Sequence, residues 1–280
     1  MLRNHIKDYK EYNPLEVYTT VKELVQEDGY TVKLVKSNKT GDEFILRSTK
    51  LDGASKQEIG AKMKNIEIFM MILKPEVILK TQETFVHGGA LYSVHQTEGD
   101  PLKEKIKSYK DEGKLVPEDQ VIDWLTQALL ALSEFHSKNL LVGDLNPGNI
   151  FLTKDLKVKF SEFGAMKEIG DLDKKAGGQN FNRYAAPELS GGVGFAQKAD
   201  IWALGCTFFE VLAQKPAFGG DATESVVDTV RSGDLEKALP EAYSEELRQI
   251  VVQMLNLSPF DRPSSASLLK NEFLKESVAK

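Results

Sequence analysis

Val142-Gly143-Asp144-Leu145-Asn146-Pro147-Gly148-Asn149 is a run of turn-forming residues that carries one carboxylate and two carboxamides between apolar neighbours. Asp and Asn in such a loop readily bond nearby backbone, so the stretch reads as an organised loop whose polar groups have work to do. On its C-terminal side, Ile150-Phe151-Leu152 and Leu156-Lys157-Val158-Lys159-Phe160 read as two short strands joined at Lys154-Asp155. On its N-terminal side, Val121, Ile122, Leu125, Leu129, Leu132 and Phe135 recur at helical spacing. Pro117-Glu118-Asp119 starts that helix, with proline tolerated in the first turn and the acids facing the positive end of the dipole. From Lys198 onward the pattern is helical. Ile201, Leu204, Phe208 and Val211 mark one helix, Leu247, Ile250, Val251, Met254 and Leu255 another, and Leu268, Leu269 and Leu274 the last.

The first hundred residues read differently. Tyr30, Val32 and Leu34 alternate with Thr31 and Lys33 before the turn formers of 37–42 and then Phe44-Ile45-Leu46, which predicts a hairpin. Thr84-Phe85-Val86, His87-Gly88-Gly89 and Leu91 to Val94 predict a second hairpin. Between the two, Ile59, Met63, Ile66, Met70 and Leu73 predict one amphipathic helix. The expected organisation is a solvated arm or docked helix at residues 1–16, a small β-rich lobe at 17–97 with a linker near Thr97 to Pro101, and a larger helical lobe at 98–280.

Composition narrows the function classes. The chain of 280 residues has a formal charge of −6 and is 41% apolar and 28% charged, enough apolar content to bury a full core. Its pI of 5.4 lacks the basic footprint of a nucleic-acid binder. The lone Cys206 excludes an internal disulfide and any multi-cysteine metal site. No apolar run approaches the roughly 20 residues of a membrane span, and Met1 to His5 carry no apolar signal core. A soluble cytoplasmic protein is expected, with neither nucleic acid nor membrane among its partners.

Four stretches, in order and spacing, resemble the eukaryotic protein-kinase fold: Gly143 to Asn149, Glu162-Phe163-Gly164, Ala186-Pro187-Glu188, and Asp200-Ile201-Trp202-Ala203-Leu204-Gly205. Asp261-Arg262-Pro263 adds the place where that family keeps a buried Arg. The resemblance runs from Val17 to Leu274. Pro117 to Leu125, Asn149 to Thr153 and Asp200 to Cys206 are most similar to the NIMA-related (NEK) kinases. The fold implied is α+β and bilobal, with a small β-rich N-lobe holding one main helix and a larger, mostly helical C-lobe. The resemblance also implies structural roles: Glu188 and Arg262 as a buried ion pair, Asp200 as a cap on the catalytic loop, and Trp202 beside it at the start of the central helix.

The chemical positions depart from the family. Phosphoryl transfer needs a loop over the phosphates, a Lys paired to a helix Glu, a metal-binding Asp and Asn, and an Asp that receives the hydroxyl proton. The loop falls on Val25-Gln26-Glu27-Asp28-Gly29-Tyr30, with one glycine, and reads as an acidic hairpin turn. The phosphate-binding Lys falls on Arg47, whose planar fork is no substitute for an ammonium at a fitted site. Its helix partner falls on Asn65; Glu67 lies about 200° further round the helix. The Arg before the proton-accepting Asp144 is Gly143, the Lys after it is Asn146, and the metal-binding pair is Asn149 with Glu162, one methylene longer than Asp. Mg2+ tolerates such a shift poorly. Residues 165–185 contain no Ser or Thr, Tyr184 is the one phenol there, and Phe181 stands where a substrate-contacting Thr is expected. His95, at the expected start of the hinge, reads as a partly buried, hydrogen-bonded histidine.

The resemblance therefore implies a pseudokinase that requires no cofactor, binds ATP and Mg2+ weakly or not at all, and acts as a scaffold or regulator of protein partners such as an active kinase or a cytoskeletal protein. Cytoskeletal association is the corresponding location. Two alternatives stand beside it: an active Ser/Thr kinase using Arg47, Asp144, Asn149 and Glu162, and an ATP-binding switch without phosphoryl transfer.

Overall fold

The computed structural model describes residues 14–27, 29–55, 57–60, 63, 73–161, 167–168, 183–188, 196–219 and 228–278. Its contacts divide into two compact units, Met1–Gly99 and Asp100–Lys280. A sheet dominates the first and helices the second, which is the α+β class expected.

Five antiparallel strands in the order β1-β2-β3-β5-β4 form the sheet of the first unit. They are β1 Tyr18–Glu27, β2 Tyr30–Ser37, β3 Glu43–Lys50, β4 Thr81–His87 and β5 Ala90–Gln96. Both predicted hairpins are present. β2 runs against β3 from Tyr30↔Thr49 to Lys36↔Glu43, and β4 meets β5 across Gly88-Gly89 with His87 opposite Ala90. In the first turn, Ser37 Oγ accepts from the N–H groups of Lys39 and Thr40, each at 3.3 Å.

Alternation alone misassigns one inward position. Leu34 is half-buried and Val35 fully buried, because this sheet is covered on both faces. Val35 lies on the face opposite Val32, where it packs with Tyr18, Leu46 and Val94. Consecutive burial of Ile45, Leu46 and Arg47 has the same cause.

β1 is the edge strand, and Thr19 to Glu23 are exposed, so no alternation announces it. Its register against β2 shifts between Thr20 and Lys22 and again between Glu23 and Val25, the signature of bulges. The hairpin β1-β2 closes with Glu27 opposite Tyr30. Gly29 takes φ +95° there, a conformation that favours glycine. Of the N-terminal arm, residues 1–13 lie outside the described residues. Pro14–Val17 forms one helical turn, α1, and the Val17 carbonyl accepts from the Asn38 N–H at 2.8 Å. Of the residues that predicted the helix, Ile59 and Met63 are helical and Leu73 is buried in a bend, while Ile66 and Met70, like Asn65 and Glu67, lie outside the described residues.

The stretch Thr97 to Pro101, expected as a linker, contains a strand, β6 Gly99–Pro101, beside β8 Ile150–Thr153 and β9 Val158–Phe160 in a three-stranded sheet. Leu156 and Lys157, expected in a strand, belong to the turn. Leu156 has φ +62°, and Thr153 Oγ1 accepts from Lys157 N–H at 2.8 Å while donating to Asp155 at 2.6 Å. Between β8 and the helices lies the two-residue strand β7, Leu140–Leu141, paired with β10, Lys167–Glu168.

The helices of the second unit are α2 Leu102–Asp111, α3 Glu118–Ser137, α4 Ala196–Ala213, α5 Asp234–Lys237, α6 Glu245–Met254, α7 Ser265–Leu268 and α8 Glu272–Val278. The α3 stripe is buried through Val121, Trp124, Leu125, Leu129, Leu132 and Phe135, while Leu130 on the far side is exposed. α4 is apolar all round and buried from Ala199 to Phe209, which makes it the central helix. It passes so close to α6 that a Cβ on Gly205 would lie 2.9 Å from Met254 Cβ and 3.0 Å from Leu255 Cδ2. Helix propensity alone would make Gly205→Ala stabilising by about 1 kcal/mol. Overpacking against a Cβ that cannot rotate away is expected to reverse the sign and cost about 1–3 kcal/mol, read as a lower urea midpoint at unchanged slope.

Candidate functional site

The loop that follows β7 is held from beneath by Asp200, the fifth residue of α4. Its Oδ2 accepts from the Val142 N–H at 3.0 Å, its Oδ1 from the Gly143 N–H at 3.0 Å, and His136 Nε2 lies 3.1 Å from Oδ2. One carboxylate, 3% exposed, thus satisfies two backbone donors and an imidazole. Gly143 has φ +84°, which favours glycine at that position. The chain then presents Asp144, half-exposed.

Two carboxamides converge on Asp144. Asn149 Nδ2 donates to its carbonyl at 2.8 Å and to its Oδ2 at 3.1 Å. Asn146 Nδ2 donates to its Oδ1 at 3.1 Å, and Asn146 Oδ1 accepts from the Gly148 N–H at 2.8 Å. The Asn149 carbonyl accepts from Ser161 N–H at 2.9 Å, which ties this loop to the residue before Glu162. Glu162 and Phe181 lie outside the described residues. Asp144 is thus a carboxylate steadied by neutral amides, able to accept a proton from a hydroxyl. Asn149, with its N–H groups turned to Asp144, has its amide oxygen as the atom able to ligate a cation.

Glu188 and Arg262 meet in a two-pronged pair, Oε1 to Nη1 at 2.6 Å and Oε2 to Nη2 at 3.1 Å. Arg262, 0% exposed, also donates to the carbonyls of Lys198 and Asn256. Its guanidinium lies 5.0 Å from the Trp202 ring centre, and Trp202 stacks on Phe218 at 5.5 Å. Nearby, Tyr184 donates to Glu210 Oε2 at 2.7 Å. Burial and the Glu210 carboxylate raise the phenol's pKa far above its ordinary value.

Arg47 belongs to the first unit. It lies on β3 opposite Val32 and Ser93, is 5% exposed, and sits with its guanidinium carbon 3.9 Å from the centre of the Tyr30 ring. His95, expected to be partly buried, has no exposure at all. Its Nε2 lies 2.9 Å from Ser93 Oγ and its Nδ1 3.2 Å from Thr81 Oγ1. Burial, and secondarily the Arg47 cation, push its pKa down to about 3.

The model of the protein kinase domain matches residues 18–274. The chain belongs to the protein kinase family. Among curated proteins this kinase domain is similar to the mouse serine/threonine-protein kinase Nek4, 31% identical over 89% of the chain and 31% of that protein. It is similar to mouse Nek1, 30% identical over 95% of the chain and 22% of that protein. Human Nek11 is 36% identical over 65% of the chain and 28% of that protein. The kinase domain therefore spans about a third or less of the length of these relatives.

Several participants gave no sequence signal. His136 meets Asp200 from 64 residues away, and Asn256 meets Arg262 through its backbone carbonyl, which any residue would supply. Asn146 and Asn149, two and five residues beyond Asp144 in a loop with Pro and Gly, did carry one: that spacing lets both amides reach back to the same carboxylate.

Two measurements follow from this geometry. Glu188→Ala strands a guanidinium with no exposure and is expected to cost about 3–5 kcal/mol in denaturant unfolding. His95 is neutral when folded, and the unfolded chain takes up a proton below its ordinary pKa of 6.5. Stability from this group is complete above that value and lost as pH falls toward about 3, by roughly 1 kcal/mol per pH unit. His95→Gln is expected to flatten that part of a stability–pH profile.

Proposed function

We propose that this kinase domain is non-catalytic and serves as a scaffold or regulator of a protein partner, an active kinase or a cytoskeletal protein, in the cytoplasm. The observation that carries the reading is Asn146. A transferring phosphoryl group needs positive charge beside the base that accepts the proton, and the family supplies it with a Lys two residues after the Asp. Here a neutral amide occupies that place and donates to Asp144 itself at 3.1 Å. The Glu188–Arg262 pair and the Asp200 cap keep the helical unit and its Asp144 loop folded whether or not transfer occurs.

Kinase domains ordinarily use ATP with Mg2+. The described residues fit that group poorly: the cation at the phosphate-binding position, Arg47, is 5% exposed and faces an aromatic ring. Asn149 retains an amide oxygen of the right chemistry for Mg2+, and Glu162 would be its companion.

One observation favours a second reading, an active Ser/Thr kinase. The side chains of Asp144 and Asn149 remain bonded together at 3.1 Å, and the relatives named above are serine/threonine-protein kinases. The deciding assay is phosphate transfer from labelled ATP with Mg2+ to a generic Ser/Thr substrate and to the chain itself. Each altered electrostatic contact commonly costs on the order of 10² to 10³ in rate. Incorporation no greater than that of Asp144→Ala is therefore expected. Incorporation that Asp144→Ala abolishes would overturn the non-catalytic reading.

A further inference from the structure

Between β3 and the helical residues 57–60 the chain crosses a turn that is fastened at both ends and free in the middle. Leu51 N–H donates to the Gly89 carbonyl and Ala54 N–H to the Leu51 carbonyl, both at 2.9 Å. On the far side Ser55 and Glu58 form a capping box: Ser55 N–H and Oγ donate to Glu58 Oε2 at 2.8 and 2.9 Å, and Ser55 Oγ accepts from Glu58 N–H at 3.3 Å. Asp52 and Gly53 are the two central residues, and both are exposed. Gly53 has φ +70°, a value that the third place of such a turn meets with glycine. A Cβ at Gly53 would meet nothing within 4 Å, so the space around it is open. Among the described residues no hydrogen bond or ion pair engages the Asp52 carboxylate or the Gly53 N–H.

We propose that Asp52 is a site of spontaneous isoaspartate formation, which makes the folded domain a methyl acceptor for enzymes that esterify isoaspartyl carboxyls with S-adenosylmethionine. The reaction needs a carboxyl free to turn back on its own main chain, a following nitrogen with neither a partner nor a side chain beside it, and water. The turn supplies all three. Gly53 N attacks Asp52 Cγ, the new C–N bond closes a succinimide ring, and the carboxyl hydroxyl leaves as water with the amide proton. Water then adds to either ring carbonyl. Opening at Cγ restores aspartate, whereas opening at the main-chain carbonyl leaves the chain joined through Cγ with the α-carboxylate as the side group. One water leaves and one returns, so mass is unchanged and no further reagent is consumed. The main chain gains a methylene, so Ala54 N–H no longer closes the same ring on the Leu51 carbonyl. The proposal is independent of whether the domain transfers phosphate.

The test incubates the whole folded chain at neutral pH and physiological temperature, beside the same chain held unfolded in urea. Samples are then labelled with tritiated S-adenosylmethionine and an isoaspartyl methyltransferase, and mapped by trypsin and mass spectrometry. The peptide from Leu51 to Lys56 is read separately from the one that carries the chain's other Asp-Gly pair, Asp28-Gly29. The expected result is methyl label on the 51–56 peptide, with a second species of equal mass and shifted retention, formed by the folded chain at a rate within tenfold of the unfolded one. Asp52→Glu, an exposed substitution whose attack would close a larger ring, is expected to lose the label, and Gly53→Ala to slow it at least tenfold. In the isomerised fraction, separated by ion exchange, hydrogen exchange at the Ala54 amide is expected to be at least tenfold faster. A 51–56 peptide that stays unlabelled, or that gains label only in the unfolded chain, would overturn the proposal, because the turn would then protect the pair instead of exposing it.

Discussion

Arg262 brings five N–H donors to a place with no solvent exposure, and each is met: the two oxygens of Glu188, the Lys198 carbonyl, and the Asn256 carbonyl twice. A buried cation of this kind is tolerable only when its whole donor fork is satisfied. Meeting that demand fixes the Ala186-Pro187-Glu188 stretch, the first turn of α4 and the chain just after α6 relative to one another. Asp200, two residues beyond Lys198, is set by the same constraint, and through it the backbone of Val142 and Gly143. The polar loop at Asp144 is thus the far end of a chain of contacts that begins at a guanidinium.

Conserving that frame is compatible with discarding charge at the loop. Asn146 and Asn149 give Asp144 hydrogen bonds without a formal positive charge, and neutral partners stabilise a loop as well as charged ones do when no phosphate has to be neutralised. In the sheet unit the same substitution logic runs the other way. Arg47 keeps a charge but turns it toward Tyr30, and the neighbouring His95 stays uncharged because its burial, and secondarily the Arg47 cation, disfavours the imidazolium.

Strong periodicity and motif spacing made the kinase architecture legible. The α3 stripe, both glycine turns of the sheet and the apolar central helix follow from 3.6- and 2-residue periods. Of the features that escaped, three have a plain physical reason. β1 escaped because an exposed, bulged edge strand has no buried period. Val35 escaped because a sheet covered on both faces does not alternate. The strand at Gly99–Pro101 escaped because a glycine and a proline around an acid read as punctuation. Within the site, the reach of Asn146 to Asp144 was local and readable, whereas His136 on Asp200 and Tyr30 on Arg47 are tertiary contacts that spacing along the chain cannot reveal.

The bulges of β1 bear on how this domain behaves in company. Among the described residues β1, ten residues long, is an outer strand of its sheet, the position from which sheets usually extend and aggregate. Here the register breaks at Thr20/Lys22 and at Glu23/Val25, so a straight incoming strand would fall out of step within a few residues. Lys22 and Glu23, both exposed, add charges that a sheet-to-sheet neighbour would have to desolvate. The irregularity that hid β1 from its own sequence pattern is of the kind by which edge strands resist sheet-to-sheet pairing.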